Sequence, residues 1–92
     1  MRRVQWTGKA ASDVIRLHEF LKSGNATAAA RVVKSLMAAP NDLLENPLLG
    51  ERLEEFHPRE IRRLLGGRYE VRYEIVETTI FVLRVGHTRE AR

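Results

Sequence analysis

Ninety-two residues, 43% of them apolar and 30% charged, are enough for one globular domain with a small core and exclude a disordered chain. Sixteen Lys and Arg against twelve Asp and Glu leave a formal charge of +4 and a pI of about 10.1, a balance that points to an anionic partner. The absence of cysteine excludes disulfides, thiol nucleophiles and Cys-type zinc sites together. No apolar run reaches the roughly 18 residues that cross a bilayer. No apolar signal region follows Met-Arg-Arg-Val-Gln-Trp at the start, so a cytoplasmic location is expected.

Residues 3–7 alternate Val4 and Trp6 against Arg3 and Gln5, which predicts a short strand, and Thr7 is placed to cap a helix. Over 9–23 the period becomes helical. Ala10, Val14, Leu17 and Leu21 form one stripe, with Ala11, Ile15 and His18 beside it. Asp13 in the early turns and Lys22 in the last suit the macrodipole. Ser23-Gly24-Asn25 is a tight stop, and Asn25 can cap the second helix over 26–39, whose apolar set is Ala29, Val32, Val33, Leu36 and Met37. The short connection predicts an antiparallel helical hairpin. Pro40 breaks the ladder, a further helical turn is expected over 41–45, and 46–50 is a turn. Residues 51–58 read as an acidic linker anchored by Phe56.

The stretch 59–92 is the most informative. It holds eight arginines, no lysine and five glutamates, and it reads as three strands followed by a basic tail. Arginine's flat fork of donors suits carboxylate and phosphate. In the middle strand Tyr69, Val71, Tyr73 and Ile75 face one way, and Arg68, Glu70, Arg72 and Glu74 the other, as in a half-exposed antiparallel strand. Residues 80–83 are apolar on both faces, which predicts a central strand. Gly66-Gly67 and Glu77-Thr78 supply the hairpin turns. The fold class is therefore α+β: an N-terminal strand, an antiparallel helical hairpin, then a three-stranded antiparallel meander, all in one domain over 1–92.

Several pieces in this order resemble the RelE/ParE toxin superfamily of type II toxin–antitoxin systems, and within it the ParE branch. They are Val4-Gln5-Trp6-Thr7 running into Ala10 and Asp13, and Glu45-Asn46-Pro47-Leu48-Leu49-Gly50 after the hairpin. Arg62 with Leu64-Leu65, Gly67-Arg68-Tyr69 with Tyr73, and Leu83-Arg84-Val85-Gly86-His87 complete the set. Each piece alone is weak, but together they span nearly the whole chain. The resemblance implies a compact antiparallel sheet carrying the helical hairpin, and a cognate ParD-like antitoxin as partner. It implies one of two targets. RelE-like members cleave messenger RNA on the ribosome, whereas ParE-like members inhibit DNA gyrase without breaking bonds.

RNA cleavage needs a base, an acid and cations on the phosphate. Where the resemblance leads one to expect an arginine after the Gly-Tyr strand motif, this sequence has Glu70. Where it leads one to expect an arginine after the last strand, it has Thr88, and no tyrosine follows Tyr73. These departures favour a stoichiometric gyrase inhibitor with no catalytic residue, no cofactor and no metal. Nucleic acid is then engaged only through gyrase or through the antitoxin complex on its operator. Arg62, Arg63, Arg68, Arg84, His87, Arg89 and Arg92 form the expected target-binding set. Among them Arg62, Arg63, Arg84, Arg89 and Arg92 show no obvious local partner, whereas Arg68 and Arg72 share a face with Glu70 and Glu74, where ion pairing is the plain account. Phe20, Met37 and Arg72 are the expected antitoxin contacts. The alternative is a ribosome-dependent mRNA endonuclease using His87 with Arg89, since histidine titrates near neutrality. His18 reads as packing and His57, before Pro58, as a turn residue.

Overall fold

The computed structural model describes residues 1–88, and Arg89 and Arg92 lie outside the described residues. Five strands form one sheet: β1 (Arg3–Trp6), β2 (Glu51–Arg52), β3 (Ile61–Gly66), β4 (Tyr69–Val76) and β5 (Thr79–His87). Their order is β1-β5-β4-β3-β2. The meander of β3, β4 and β5 is antiparallel as its hairpin turns require, and β5 is central as its two-sided apolar run predicts. β1 pairs with β5 in parallel, Arg3 opposite Thr79 and Trp6 opposite Val82, so the sheet is mixed.

Two helices, α1 (Gly8–Lys22) and α2 (Ala26–Ala38), cover one face of the sheet. Both caps follow from sequence. The Thr7 hydroxyl accepts from the Ala10 N–H at 3.1 Å, and the Asn25 side chain accepts from the Ala28 N–H at 3.0 Å. Ala10, Val14, Leu17 and Leu36 pack on Val71, Val82 and Val85, forming the main core. A second cluster of Leu43, Tyr73 and Ile80 sits under a 3-10 turn, Ala39–Leu44, that Pro40 begins.

Three expectations are corrected. The acidic stretch after Gly50 is not a plain linker. It supplies β2 and a 3-10 turn, Glu54–Phe56, because Leu53 is drawn into the interior and its N–H donates to the Ile61 carbonyl at 2.9 Å. The β3–β4 connection is Gly67-Arg68, with Gly66 already paired to Tyr69. Gly67 takes a φ of 59°, a conformation that glycine adopts without a Cβ clash. The strict alternation of β4 also fails. β5 carries one extra residue opposite the Arg72/Tyr73 step, and Glu70, on the polar face, is buried.

Tyr73 explains why two separated motifs go together. Its ring is fully buried. Its hydroxyl donates to the Pro47 carbonyl at 2.8 Å and accepts from the Gly50 N–H at 2.9 Å. A Cβ at Gly50 would lie 2.6 Å from the Arg63 carbonyl and 2.7 Å from the Tyr73 hydroxyl, so only glycine fits. The Arg62 guanidinium closes the loop from the other side. It donates to the carbonyls of Gly50 at 2.6 Å and Leu48 at 3.2 Å and to Glu60 at 2.8 Å.

Candidate functional site

The arginines of β3, β4 and β5 are held by carboxylates. Cross-strand register places Arg63 and Arg72 opposite each other, and Leu65 opposite Glu70, on the sheet face turned away from the helices. Glu70 lies between the two cations, 3.1 Å from Arg72 and 3.6 Å from Arg63, and is 5% exposed. Such a buried carboxylate is tolerable because it is paired on both sides. Arg63 also reaches Glu51 at 2.9 Å. The bond to Glu51 first, and the fields of Glu51 and Glu70 with it, raise the pKa of Arg63. Arg72 stacks over Phe56, its guanidinium carbon 5.6 Å from the ring centre. At the rim Arg59 holds Glu74 through two bonds of 2.9 and 2.7 Å, which lower the Glu74 pKa against the opposing effect of its partial burial.

The knot at the start of α1 is the feature that sequence reasoning missed. β1 ends at Trp6, so β5 is central at one end and an edge at the other. The chain turning into α1 covers that edge. Thr7 donates its N–H and its hydroxyl to the Val82 carbonyl, at 3.1 and 2.9 Å. Nearly two turns on, Asp13 accepts the Val85 N–H at 2.9 Å, the donor left over where β1 stops. The same carboxylate takes two bonds from Arg84, at 2.8 and 3.2 Å, and one from Arg16 at 2.8 Å. Asp13 is 3% exposed. Burial pushes its pKa up, but the Arg84 bond, the Val85 N–H and the fields of both arginines outweigh it and hold the group below the usual carboxylate range. A signal for this was present. Ala10, Asp13, Val14 and Leu17 fall at helical spacing on one stripe, and an aspartate there needs a buried cation or donor.

The expectation that Arg62, Arg63 and Arg84 lack local partners is therefore corrected. Arg62 is consumed by the fold, with 16% of its side chain exposed. Arg63 and Arg84 are paired, yet their side chains keep 36% and 53% exposure, so each presents a fixed guanidinium edge to solvent. Arg68 sits exposed in the β3–β4 turn. His87, half-buried at the end of β5, meets Tyr69 edge-on with ring centres 5.5 Å apart. Phe20 and Met37 are 71% and 54% exposed on the helices, whereas Arg72 lies on the opposite sheet face, so the three do not form one surface. Among the described residues no group of three His, Asp or Glu side chains is placed to hold a metal ion, and no helix is long and apolar enough to cross a membrane.

The model of the ParE toxin of type II toxin–antitoxin systems, parDE, matches residues 4–92. The chain belongs to the ParE toxin family. No curated protein matches it. Among solved structures, the chromosomal ParDE toxin–antitoxin system of P. aeruginosa aligns with a TM-score of 0.79 at 19% identity, over 95% of this chain and 96% of that one. The RelBE2 toxin–antitoxin complex of Mycobacterium tuberculosis aligns with a TM-score of 0.69 at 26% identity, over 94% and 96%. The DinJ–YafQ complex of E. coli aligns with a TM-score of 0.58 at 13% identity, over 99% and 98%. The α+β class read from sequence holds, and a ParE toxin with this sheet shares its fold with toxins of both named types.

Proposed function

We propose that this ParE toxin acts by stoichiometric binding, with DNA gyrase as its target, and that a cognate antitoxin neutralises it. The observation that carries the reading is the engagement of the sheet arginines. RNA cleavage needs cations free to meet a phosphate as charge develops on it. Here Glu70 pairs with both Arg63 and Arg72, and Asp13 holds Arg84, so these three cations are already engaged by carboxylates. A face of this kind, with fixed guanidinium edges and internal neutralisation, suits docking on an acidic protein surface. The target-facing set is then Arg63, Arg68 and Arg84 with His87. Arg62 leaves the set because it is used inside the fold.

The antitoxin reading draws on the family and on the two complexes with toxins of the same fold. A free chain of this size, with exposed Phe20, Leu49 and Leu65, gains stability from a partner that binds only its folded form.

The test is to express the chain alone in a bacterial host and follow thymidine and methionine incorporation. Early loss of DNA synthesis with DNA breaks, reversed by co-expressed antitoxin, supports the gyrase reading. Early loss of protein synthesis with cleaved messages, abolished by His87→Ala, overturns it in favour of the ribosome.

A further inference from the structure

β1 covers β5 only as far as Val82, opposite Trp6, and beyond that point α1 takes its place beside the β5 edge. A cavity of about 310 Å³ lies there, between helix and edge. Asp13, Arg16, Leu17 and Phe20 line it from α1, and Val85 and Gly86 from β5. The four helix residues fall at i, i+3, i+4 and i+7, one stripe of the helix surface. Leu17 and Val85 belong to the core and give the cavity an apolar floor, whereas Phe20 stands 71% exposed as its wall. A Cβ added at Gly86 would meet no other atom within 4 Å, so that side is open.

A second, independent feature is the charge beside it. Arg16 and Arg84 donate to the same oxygen, Asp13 Oδ1, at 2.8 and 3.2 Å, so their guanidiniums stand side by side. The carboxylate cancels one of the two charges and one net positive charge remains. Arg84 spends its Nε and one Nη on Asp13, and Arg16 spends a single Nη, which leaves N–H groups of both forks unused. Both side chains are more than half exposed, so these donors meet solvent from a fixed frame. An exposed aromatic ring beside prearranged guanidiniums is the composition of an interface anchor, because little side-chain freedom is lost when a partner docks. A nucleic-acid strand is held by a run of cations along its phosphates, whereas the charged lining here is Arg16 and Asp13. One net charge over an apolar floor suits a carboxylate that has an apolar side chain for a neighbour.

We propose that this cavity is the anchor of the target-facing surface, and that it takes one large apolar side chain from an acidic segment of a protein. The side chain enters between Phe20 and Gly86 and rests on Leu17 and Val85. A carboxylate flanking it in the partner meets the free N–H groups of Arg16 and Arg84. This adds Arg16 to the target-facing set and assigns Phe20 to the target rather than to the antitoxin. The chain that carries the segment is gyrase, a point that rests on the reading above.

Two variants separate the anchor from general stickiness. Phe20→Ser removes the wall, and Ile15→Ser removes an apolar side chain of similar exposure on α1 that does not line the cavity. Both positions are exposed, so both variants are expected to melt within about 4 °C of the parent chain. The first probe is a capped peptide Glu-Glu-Phe-Glu-Glu, with Lys-Lys-Phe-Lys-Lys and pentathymidylate as controls, read by NMR of the 15N-labelled chain. The glutamate peptide is expected to move the Phe20 and Gly86 amides and the Nε–H signals of Arg16 and Arg84. It is expected to bind Phe20→Ser about tenfold more weakly and Ile15→Ser as it binds the parent. Absence of these shifts, equal binding of the lysine peptide, or equal loss in both variants overturns the site. Tighter binding of pentathymidylate at the same signals overturns the protein partner in favour of a nucleic acid. The second probe is gyrase itself, in a supercoiling assay, where Phe20→Ser is expected to need about tenfold more toxin and Ile15→Ser no more than the parent. A parent chain that binds the peptide and leaves gyrase active overturns the gyrase reading and keeps the site. Equal inhibition by the parent and Phe20→Ser keeps the gyrase reading and overturns the cavity as its anchor.

Discussion

Asp13 joins α1 to β5 through one buried carboxylate, and its removal is the sharpest single-residue test. Asp13→Asn keeps the shape and an acceptor for Val85 but withdraws the charge that holds Arg84 and Arg16. Because both arginines remain half or more exposed, most of the loss is that of charge-assisted bonds, about 1–3 kcal/mol, with a lower melting temperature as the readout. The pH dependence has a definite sign. The folded pKa of Asp13 is depressed, so on acidification the unfolded chain takes up its proton first. Stability from this group is complete above the ordinary aspartate value of about 4 and is lost as pH falls through the lower folded value. Glu74, held down by Arg59, works in the same direction. Urea unfolding between pH 7 and pH 2 is therefore expected to show a plateau and then an acid fall, shallower in Asp13→Asn. A variant curve of unchanged steepness contradicts the assignment. At Tyr73, removal of the hydroxyl leaves the buried Gly50 N–H and the Pro47 carbonyl unpaired, and Tyr73→Phe is expected to cost about 1–3 kcal/mol in the same assay. Sequence could place Tyr73 inward by alternation. It could not show that its hydroxyl locks Gly50, because that bond crosses 23 residues of chain.

At the scale of elements, local chemistry was legible and long-range pairing was not. The caps at Thr7 and Asn25, the break at Pro40 and the central place of β5 all follow from signals within a few residues. β2 has only two residues and no period to read, so it appears as an acidic link until Arg62 and Arg63 of β3 pair with it. The arginines are the same case. Their number is visible in the sequence, but whether each is free depends on Glu70, Glu51 and Asp13, which only the folded sheet brings alongside. Thr7 carries two tasks at one hydroxyl, capping α1 and holding the exposed end of β5. Thr7→Ala is expected to cost about 1–2 kcal/mol, the upper part of the range for a cap, whereas Asn25→Ala, whose side chain only caps, is expected to cost less. Denaturant midpoints of the two variants decide it, and equal losses contradict the double role.

Across the whole molecule, the core is small and the arginines within the strands β3, β4 and β5 are paired with carboxylates, so a partner that binds only the folded chain would add materially to its stability. An antitoxin at one hundred times its dissociation constant is expected to add about 2.7 kcal/mol, a rise of roughly 10–20 °C in melting temperature for a domain of this size. An unchanged melting curve contradicts the partnership. Docking on gyrase, rather than chemistry, is the proposed action of this ParE toxin. The most direct measurement incubates the purified, folded chain with DNA gyrase, ATP and relaxed plasmid, beside an Arg63→Ala/Arg84→Ala variant whose folding is confirmed by its melting curve. Loss of supercoiling at near-equimolar toxin, relief by antitoxin and a weaker effect of the variant are expected. Full supercoiling at a large excess of the folded parent chain contradicts docking on gyrase.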